Sequence, residues 1–378
     1  MKKASKIDPL KAHRRLGGKI ETKAKVSLKK LSDWSTYYTP GVGAVSSHLA
    51  KNPKDARLMT VKRNSVAVIS DGSAVLGLGN IGPYGALPVM EGKALIFKDL
   101  ANIDAFPIVL DTQDPDKIVE TVIAIAPAFG GINLEDIASP QCFEIERRLK
   151  EALDIPVMHD DQHGTAIVVL AALINACKVV KKNLKSISVT VLGAGAAGAA
   201  TAKLLAKAGV SDIVAIDREG VIGKYRANLN AHKKELAQLP TKRTGKAFDE
   251  VIKGSDVLIA LSGGGKITEA EIASMAPKSI VFALANPVPE IMPENAKKAG
   301  AFVIATGRSD FPNQVNNALV FPGVFRGALD RGVKKITDKM KLSAAKALAG
   351  LVKKPSRENI IPSVLDRRVT KAVAKAIC

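Results

Sequence analysis

Two acidic clusters followed by a glycine-rich loop outline a chemistry in this chain. Glu135 and Asp136 follow Leu134, Asp160 and Asp161 follow His159, and Gly193-Ala194-Gly195-Ala196-Ala197-Gly198 comes next. Carboxylate oxygens are hard donors of the kind that Mg2+ or Mn2+ prefers. A hard cation beside a hydride acceptor suits oxidation of a hydroxy acid, and it also suits loss of CO2 from the resulting keto acid. Adjacent acids on their own are commonly surface charges. Here they follow Gly130-Gly131-Ile132-Asn133-Leu134 and Met158-His159, which read as turn-like or apolar ends of short strands. A buried carboxylate needs a counter-charge. Spacing alone leaves both metal ligation and plain surface acids open.

The GxGxxG pattern occurs twice. Gly193, Gly195 and Gly198 have a strand before them, an Ala-rich helix after them and a second strand ending at Asp217. In that context the first glycine allows the turn, the second lets the backbone approach a pyrophosphate, and the third packs helix on sheet. The helix N-terminus through Ala196 and Ala197 favours the anion. Asp217 could accept hydrogen bonds from the adenosine ribose hydroxyls, which favours NAD; Arg218 beside it could instead attract the 2′-phosphate of NADP. The other copy, Gly77-Leu78-Gly79-Asn80-Ile81-Gly82, runs into Pro83-Tyr84-Gly85. It reads as a tight turn that opens no helix, lining a substrate cleft rather than a nucleotide.

Elements that would position these groups follow from apolar spacing. Val66–Ser70, Phe106–Leu110 and Ile155–Met158 read as strands, while 116–126 and 142–153 have apolar residues at helical spacing, with Pro140 in the first turn of the second. From Ile187 the texture alternates. A strand at 187–192, a helix at 197–208 ended by Gly209, and strands at 213–216, 256–261, 279–284 and 301–306 imply a parallel, doubly wound α/β sheet. The length of 378 residues favours two domains, divided just before the long apolar run Gly164–Cys177, which is too short for a membrane span and right for a buried helix.

The net charge of +20 is concentrated at the ends: residues 1–30 carry 11 Lys/Arg against 2 Asp/Glu, and residues 331–378 carry 13 against 3. No aromatic interleaving or nucleic-acid motif accompanies it, so it reads as solvated helical faces rather than a nucleic-acid or membrane surface. Cys142, Cys177 and Cys378 have no metal-binding spacing and read as free thiols in a reducing cytoplasm. The segment Met1–Asp8 has no apolar signal core, so secretion is not expected.

Several longer motifs carry a resemblance. Tyr38-Thr39-Pro40-Gly41-Val42-Gly43, Asp71-Gly72 with Leu76-Gly77-Leu78-Gly79-Asn80, Glu91-Gly92-Lys93, Phe129 to Asp136, His159 to Thr165 and Val320-Phe321-Pro322-Gly323 appear in that order. This combination resembles a malic enzyme of the short prokaryotic type, without the phosphotransacetylase-like extension of the fused members. The resemblance runs from about Leu10 to the last helix. It implies an N-terminal α/β substrate domain over 1–159 and a Rossmann-like NAD(P)-binding domain over 160–378 with a basic C-terminal helix. It also implies oxidative decarboxylation of L-malate to pyruvate and CO2 with NAD or NADP and Mg2+ or Mn2+. Carried onto this sequence, the metal ligands are Glu135, Asp136 and Asp161, the general base is Lys93, the general acid is Tyr38, and Asp160 orients the lysine. Asn286 and Asn317 match positions that touch substrate or nicotinamide.

One position departs from the pattern. Longer, animal-type relatives carry a carboxylate-binding arginine shortly after the Asp-Gly turn, where this chain has Ala74. Backbone amides near Gly77–Gly79, the two asparagines, or a basic residue of a partner subunit could substitute. A homodimer with a shared active site is expected, because Tyr38 lies far from Lys93 in an N-terminal segment. The competing readings are a decarboxylating dehydrogenase of another β-hydroxy acid, and a catalytically silent nucleic-acid-binding protein on the same scaffold.

Overall fold

The computed structural model describes residues 8–378; the Met1–Ile7 part of the segment read for a signal core lies outside them. Three exposed helices lead in: α1 (Pro9–Leu16), α2 (Leu31–Tyr37) and α3 (Val42–Lys51), then a short α4 (Ala56–Met59). Asp8 caps α1 by accepting from the Leu10 N–H, and Pro9 fills the first turn.

Strand β1 (Ser65–Ser70), helix α5 (Gly82–Ala101), β2 (Asp104–Val109), α6 (Pro115–Ile125), β3 (Gly131–Leu134), α7 (Gln141–Ala152) and β4 (Val157–His159) follow. The four strands form a parallel sheet in the order β2-β1-β3-β4. Both β1 and β3 are buried along their whole length and mostly apolar, as strands covered on two faces must be. Pro140 stands immediately before α7 rather than inside its first turn.

The long apolar run becomes α8 (Asp160–Val180). It is long and apolar enough to cross a bilayer, but 72% of its most apolar window is buried among the other elements, so it is a core helix. The second sheet follows: β5 (Ser188–Leu192), α9 (Ala196–Lys207), β6 (Asp212–Asp217), β7 (Gly220–Val221), α10 (Ala231–Leu236), α11 (Phe248–Ile252), β8 (Val257–Ala260), α12 (Glu269–Ala273), β9 (Ile280–Ala283), α13 (Pro293–Lys298) and β10 (Val303–Thr306). Its order is β10-β9-β8-β5-β6-β7, parallel except for the two-residue edge strand β7. The winding reverses between β5 and β8, and the crevice there is where such sheets bind ligands.

Three helices close the chain: α14 (Phe321–Arg331), α15 (Asp338–Ala349) and α16 (Arg368–Ala376). The first of them returns to α5, beside the first sheet, while α15 packs on α8. Phe321 and Phe325 of α14 pack edge-on against Phe97 of α5, with ring centroids 4.7 and 5.4 Å away. Arg326 donates to Asn64 Oδ1 at 2.6 Å, and Arg57 donates to the Leu329 carbonyl. One apolar core, from Val66 and Phe97 through Ile167 and Leu170 to Val189 and Ile213, joins the two sheets.

Candidate active site

The acids sit where the first sheet's strands end. Glu135 and Asp136 directly follow β3, and Asp160 and Asp161 form the first turn of α8 directly after β4. Because β3 and β4 are paired in register, Leu134 opposite His159, the two clusters arrive side by side. Ligand atoms of Glu135, Asp136 and Asp161 lie within 4.8 Å of one another, with the first two buried. The Asp136 N–H donates to Asp161 Oδ2 at 2.9 Å, and Asn133, wholly buried on β3, donates to Glu135 Oε2 at 3.1 Å. Asn133 was not singled out in the sequence, where it looks like one polar residue in a short strand.

Lys93 reaches this cluster from the middle of α5. Its Nζ lies 2.5 Å from Asp160 Oδ2 and 2.9 Å from Glu135 Oε1, and 4.4 Å above the Phe321 ring. Burial lowers its pKa, but Asp160, Glu135 and Asp161 outweigh that and hold it above the usual lysine value. The carboxylates are strained in the opposite sense. Burial, then crowding by Asp161, pushes Asp136 up to about 7; burial also raises Glu135 and Asp160 despite Lys93. Asp136 Oδ2 is buried without a hydrogen-bond partner. Four carboxylates against one ammonium, with an unpartnered oxygen among them, fit a divalent cation held by Glu135, Asp136 and Asp161.

The glycine-rich pair separates cleanly. Gly193 adopts φ +106° after β5. A Cβ on Gly198 would lie 1.8 Å from the Gly193 carbonyl oxygen, so the start of α9 can approach β5 only through glycine. Gly195 has nothing within 4 Å of a would-be Cβ; that face is open to a ligand. Ala196 and Ala197 form the first residues of α9. The upstream copy corrects the sequence reading. It does open a helix, since α5 begins at Gly82 and Pro83 sits in the first turn, where its absent N–H costs nothing and its fixed φ is already helical. That helix carries Lys93. Gly77 itself lies against the Asn286 carbonyl, whose oxygen would be 2.1 Å from a Cβ at that position.

Asn317 is brought beside Asp160, since both border the space next to Gly164. Asn286 follows β9 and faces the Gly77 loop from the second sheet. Asp217 ends β6, but its carboxylate is already engaged: Arg226 donates to it at 2.8 Å and Lys233 pairs with it at 2.7 Å. Despite burial, these two cations hold its pKa below the ordinary carboxylate value. Arg218 is exposed. Arg226 and Lys233 are the functional neighbours that sequence reasoning missed, because no spacing rule marks cations from a later loop. Tyr38 is not brought into the cluster. It is 61% exposed at the end of α2, edge-on to Trp34, and no hydrogen bond joins it to Lys93 or the acids.

Behind the acids, buried Glu146 of α7 accepts from the His159 N–H at 2.8 Å and from His163 Nε2 at 3.0 Å, and pairs with Lys150 at 2.8 Å. This ties the start of α8 to α7. Burial lowers the His163 pKa to about 4 although Glu146 pulls it up. An unfolded histidine takes its proton near pH 6.5, whereas His163 stays neutral until about pH 4. Stability from this group is therefore present above pH 6.5 and lost as pH falls through that window. In urea titrations, the stability advantage of the native chain over His163→Gln should narrow from pH 6.5 to 5, by at most about 1.4 kcal/mol per pH unit. A pH-independent difference would contradict the buried neutral state.

Comparison with known proteins matches this geometry. Residues 17–150 match the family pattern "Malic enzyme, N-terminal domain" and residues 162–378 match "Malic enzyme, NAD binding domain". The NAD-dependent malic enzyme of Geobacillus stearothermophilus is 54% identical over 366 residues, 96% of this chain and 76% of that protein. The bifunctional malic/malolactic enzyme of Bacillus subtilis is 52% identical over 98% of this chain and 91% of that protein. The solved structure of the NAD-dependent malic enzyme from Thermotoga maritima superposes with a TM-score of 0.94 at 48% identity, covering 98% of this chain and 99% of that one. The acids, the lysine and the dinucleotide loop thus stand in a chain that belongs to the malic enzyme family.

Proposed function

We infer that this chain is an NAD(P)-dependent malic enzyme, which oxidises L-malate and removes CO2 to leave pyruvate, using Mg2+ or Mn2+. The observation that carries the reading is Lys93 paired with Asp160 and Glu135 beside the Glu135–Asp136–Asp161 triad, at the carboxyl ends of β3 and β4. Glu135, Asp136 and Asp161 would hold the cation, which when bound supplies Lewis acidity at the substrate hydroxyl and offsets the negative charge that keeps Lys93 protonated. Lys93 takes the hydroxyl proton. Asp160 fixes its ammonium in place. Asn286 and Asn317 border the substrate and nicotinamide, and Tyr38 returns a proton to C3 after CO2 departs.

Tyr38 stands outside the cluster in the single chain, and a homodimer is the assembly that would bring it to Lys93. Leu31, Trp34 and Tyr37 of α2 are 89, 49 and 55% exposed, an apolar surface of the kind that a protein partner covers. A second copy seated there would lend its Tyr38 to this chain's Lys93. The proposed domain division at residue 160 is supported by the family patterns, which end at 150 and resume at 162. Unpaired Cys142, Cys177 and Cys378 suit a cytoplasmic setting.

Nicotinamide reduction with malate and Mn2+, abolished by a chelator, tests the activity. No reduction with malate but turnover with another β-hydroxy acid would shift the substrate. A gel shift with nucleic acid at physiological salt, without turnover, would favour the binding reading. Coenzyme choice turns on Asp217. With its charge compensated by Arg226 and Lys233, a 2′-phosphate meets a weaker repulsion than a lone carboxylate would give. Asp217→Ala frees both cations and should move the NADP/NAD ratio of kcat/KM at least about 10-fold toward NADP. Steady-state rates with both coenzymes check this, and an unchanged ratio would displace Asp217 as the ribose reader.

A further inference from the structure

Glu290 is a fully buried carboxylate that the reaction described above does not use. Its oxygens are split between two loops. Oε1 accepts the Ser262 N–H at 2.8 Å, just beyond β8, and Oε2 accepts the Ala285 N–H at 3.0 Å, just beyond β9. Both oxygens accept backbone N–H groups, so its hydrogen-bond partners are main-chain amides rather than a cation. A glutamine in its place would turn one NH2 donor toward an N–H donor. The main chain around it is laced to the same loop: Gly265 N–H donates to the Pro289 carbonyl and Ile267 N–H to the Glu290 carbonyl.

The loops that Glu290 joins are the ones that face the coenzyme crevice. Leu261 and Ser262 abut Gly193, whose would-be Cβ lies 2.6 Å from the Leu261 carbonyl oxygen and 3.1 Å from the Ser262 nitrogen. They therefore flank the β5/β8 switch point opposite the dinucleotide loop. The Ser262 hydroxyl is buried there without a hydrogen-bond partner. On the other side, Ala285 immediately precedes Asn286. A buried carboxyl group costs several kcal/mol unless hydrogen bonds compensate it, and here the compensation comes from the amides of these two loops.

We propose that Glu290 is a positioning residue for the coenzyme: it fixes the β8 and β9 loops in one register, so that Ser262 offers its hydroxyl to the nicotinamide half of the dinucleotide while Asn286 borders the same space. This rests on the coenzyme lying over the carboxyl ends of β5 and β8.

The test uses the full chain and NADH, with affinity read from nicotinamide fluorescence and folding from thermal unfolding. Glu290→Gln should weaken NADH binding about 10-fold or more, and raise the KM for NAD more than it lowers kcat. Ser262→Ala should weaken NADH about 3- to 10-fold with an unchanged unfolding midpoint. Glu290→Gln that melts earlier but binds NADH and turns over normally would overturn the proposal, as would native affinity in Ser262→Ala. Should Glu290→Gln not fold, Ser262→Ala decides alone. Gly195→Val is the control, because a side chain there enters open space and meets only the coenzyme. Native NADH affinity in that variant would bring down the coenzyme placement and this proposal with it. Lost affinity there, with native affinity in the other two, would overturn this proposal alone.

Discussion

Lys93→Ala should lower malate turnover at least about 100-fold while NADH binding survives. The size follows from what a positioned general base contributes, about 10²- to 10⁴-fold. The selectivity follows from distance along the fold: Lys93 lies on α5 under the first sheet's acids, whereas the dinucleotide loop belongs to β5 and α9. The variant also leaves Asp160 and Glu135 buried beside one another without their shared ammonium, and losing one partner of a buried pair costs about 3–5 kcal/mol. The folded fraction must therefore be measured and the rate corrected for it. Corrected turnover near the native value would remove Lys93 from the base role. Lys93→Arg gives a sharper contrast. It keeps the positive charge between the acids but cannot lose its proton, so it should restore stability without restoring the rate.

Tyr38→Phe should slow pyruvate formation by about 10²-fold or more and slow the oxidation step less, because the hydroxyl is assigned to the proton that returns to C3. Equal slowing of both would contradict that assignment. The same substitution reports on assembly. If each site takes its lysine from one chain and its tyrosine from the other, mixing Lys93→Ala chains with Tyr38→Phe chains creates dimers in which one of the two sites is intact. Random pairing then recovers about a quarter of native activity from two nearly inactive preparations. Sites built within single chains would recover none. The exposed Tyr38 and the bare apolar surface of α2 favour recovery.

The sequence carried most of the architecture because its signals were local. The runs Val66–Ser70 and Ile187–Leu192 are β-branched and short, and Gly209 marks the end of the helix that precedes it. Glu135, Asp136, Asp160 and Asp161 stood out as acidic clusters, but Lys93 and the role of each acid could be named only through longer motifs, since four acids and a lysine scattered over 69 positions have no periodicity to connect them. What brings them together is the pairing of β3 with β4 and the passage of α5 beneath. The Gly77–Gly82 loop was misread because proline looks like a helix breaker unless its position in the first turn is known. Arg226, Lys233, Asn133 and Glu290 escaped for a common reason: each acts on a neighbour set by tertiary packing, which leaves no mark in spacing. The return of α14 to α5 was equally hidden, as its aromatic residues read as an ordinary apolar stripe.

That return means the polypeptide passes between its two halves twice, once where β4 runs into α8 and once after β10 on the way to α14. A body linked by two strands of chain can flex about the line joining them but resists twisting or drifting apart. It also means that neither half is a removable cassette. A fragment cut to begin at α8 would leave Phe321 and Phe325 without Phe97 to rest on, and a single nick at either link would leave the pieces still clasped together.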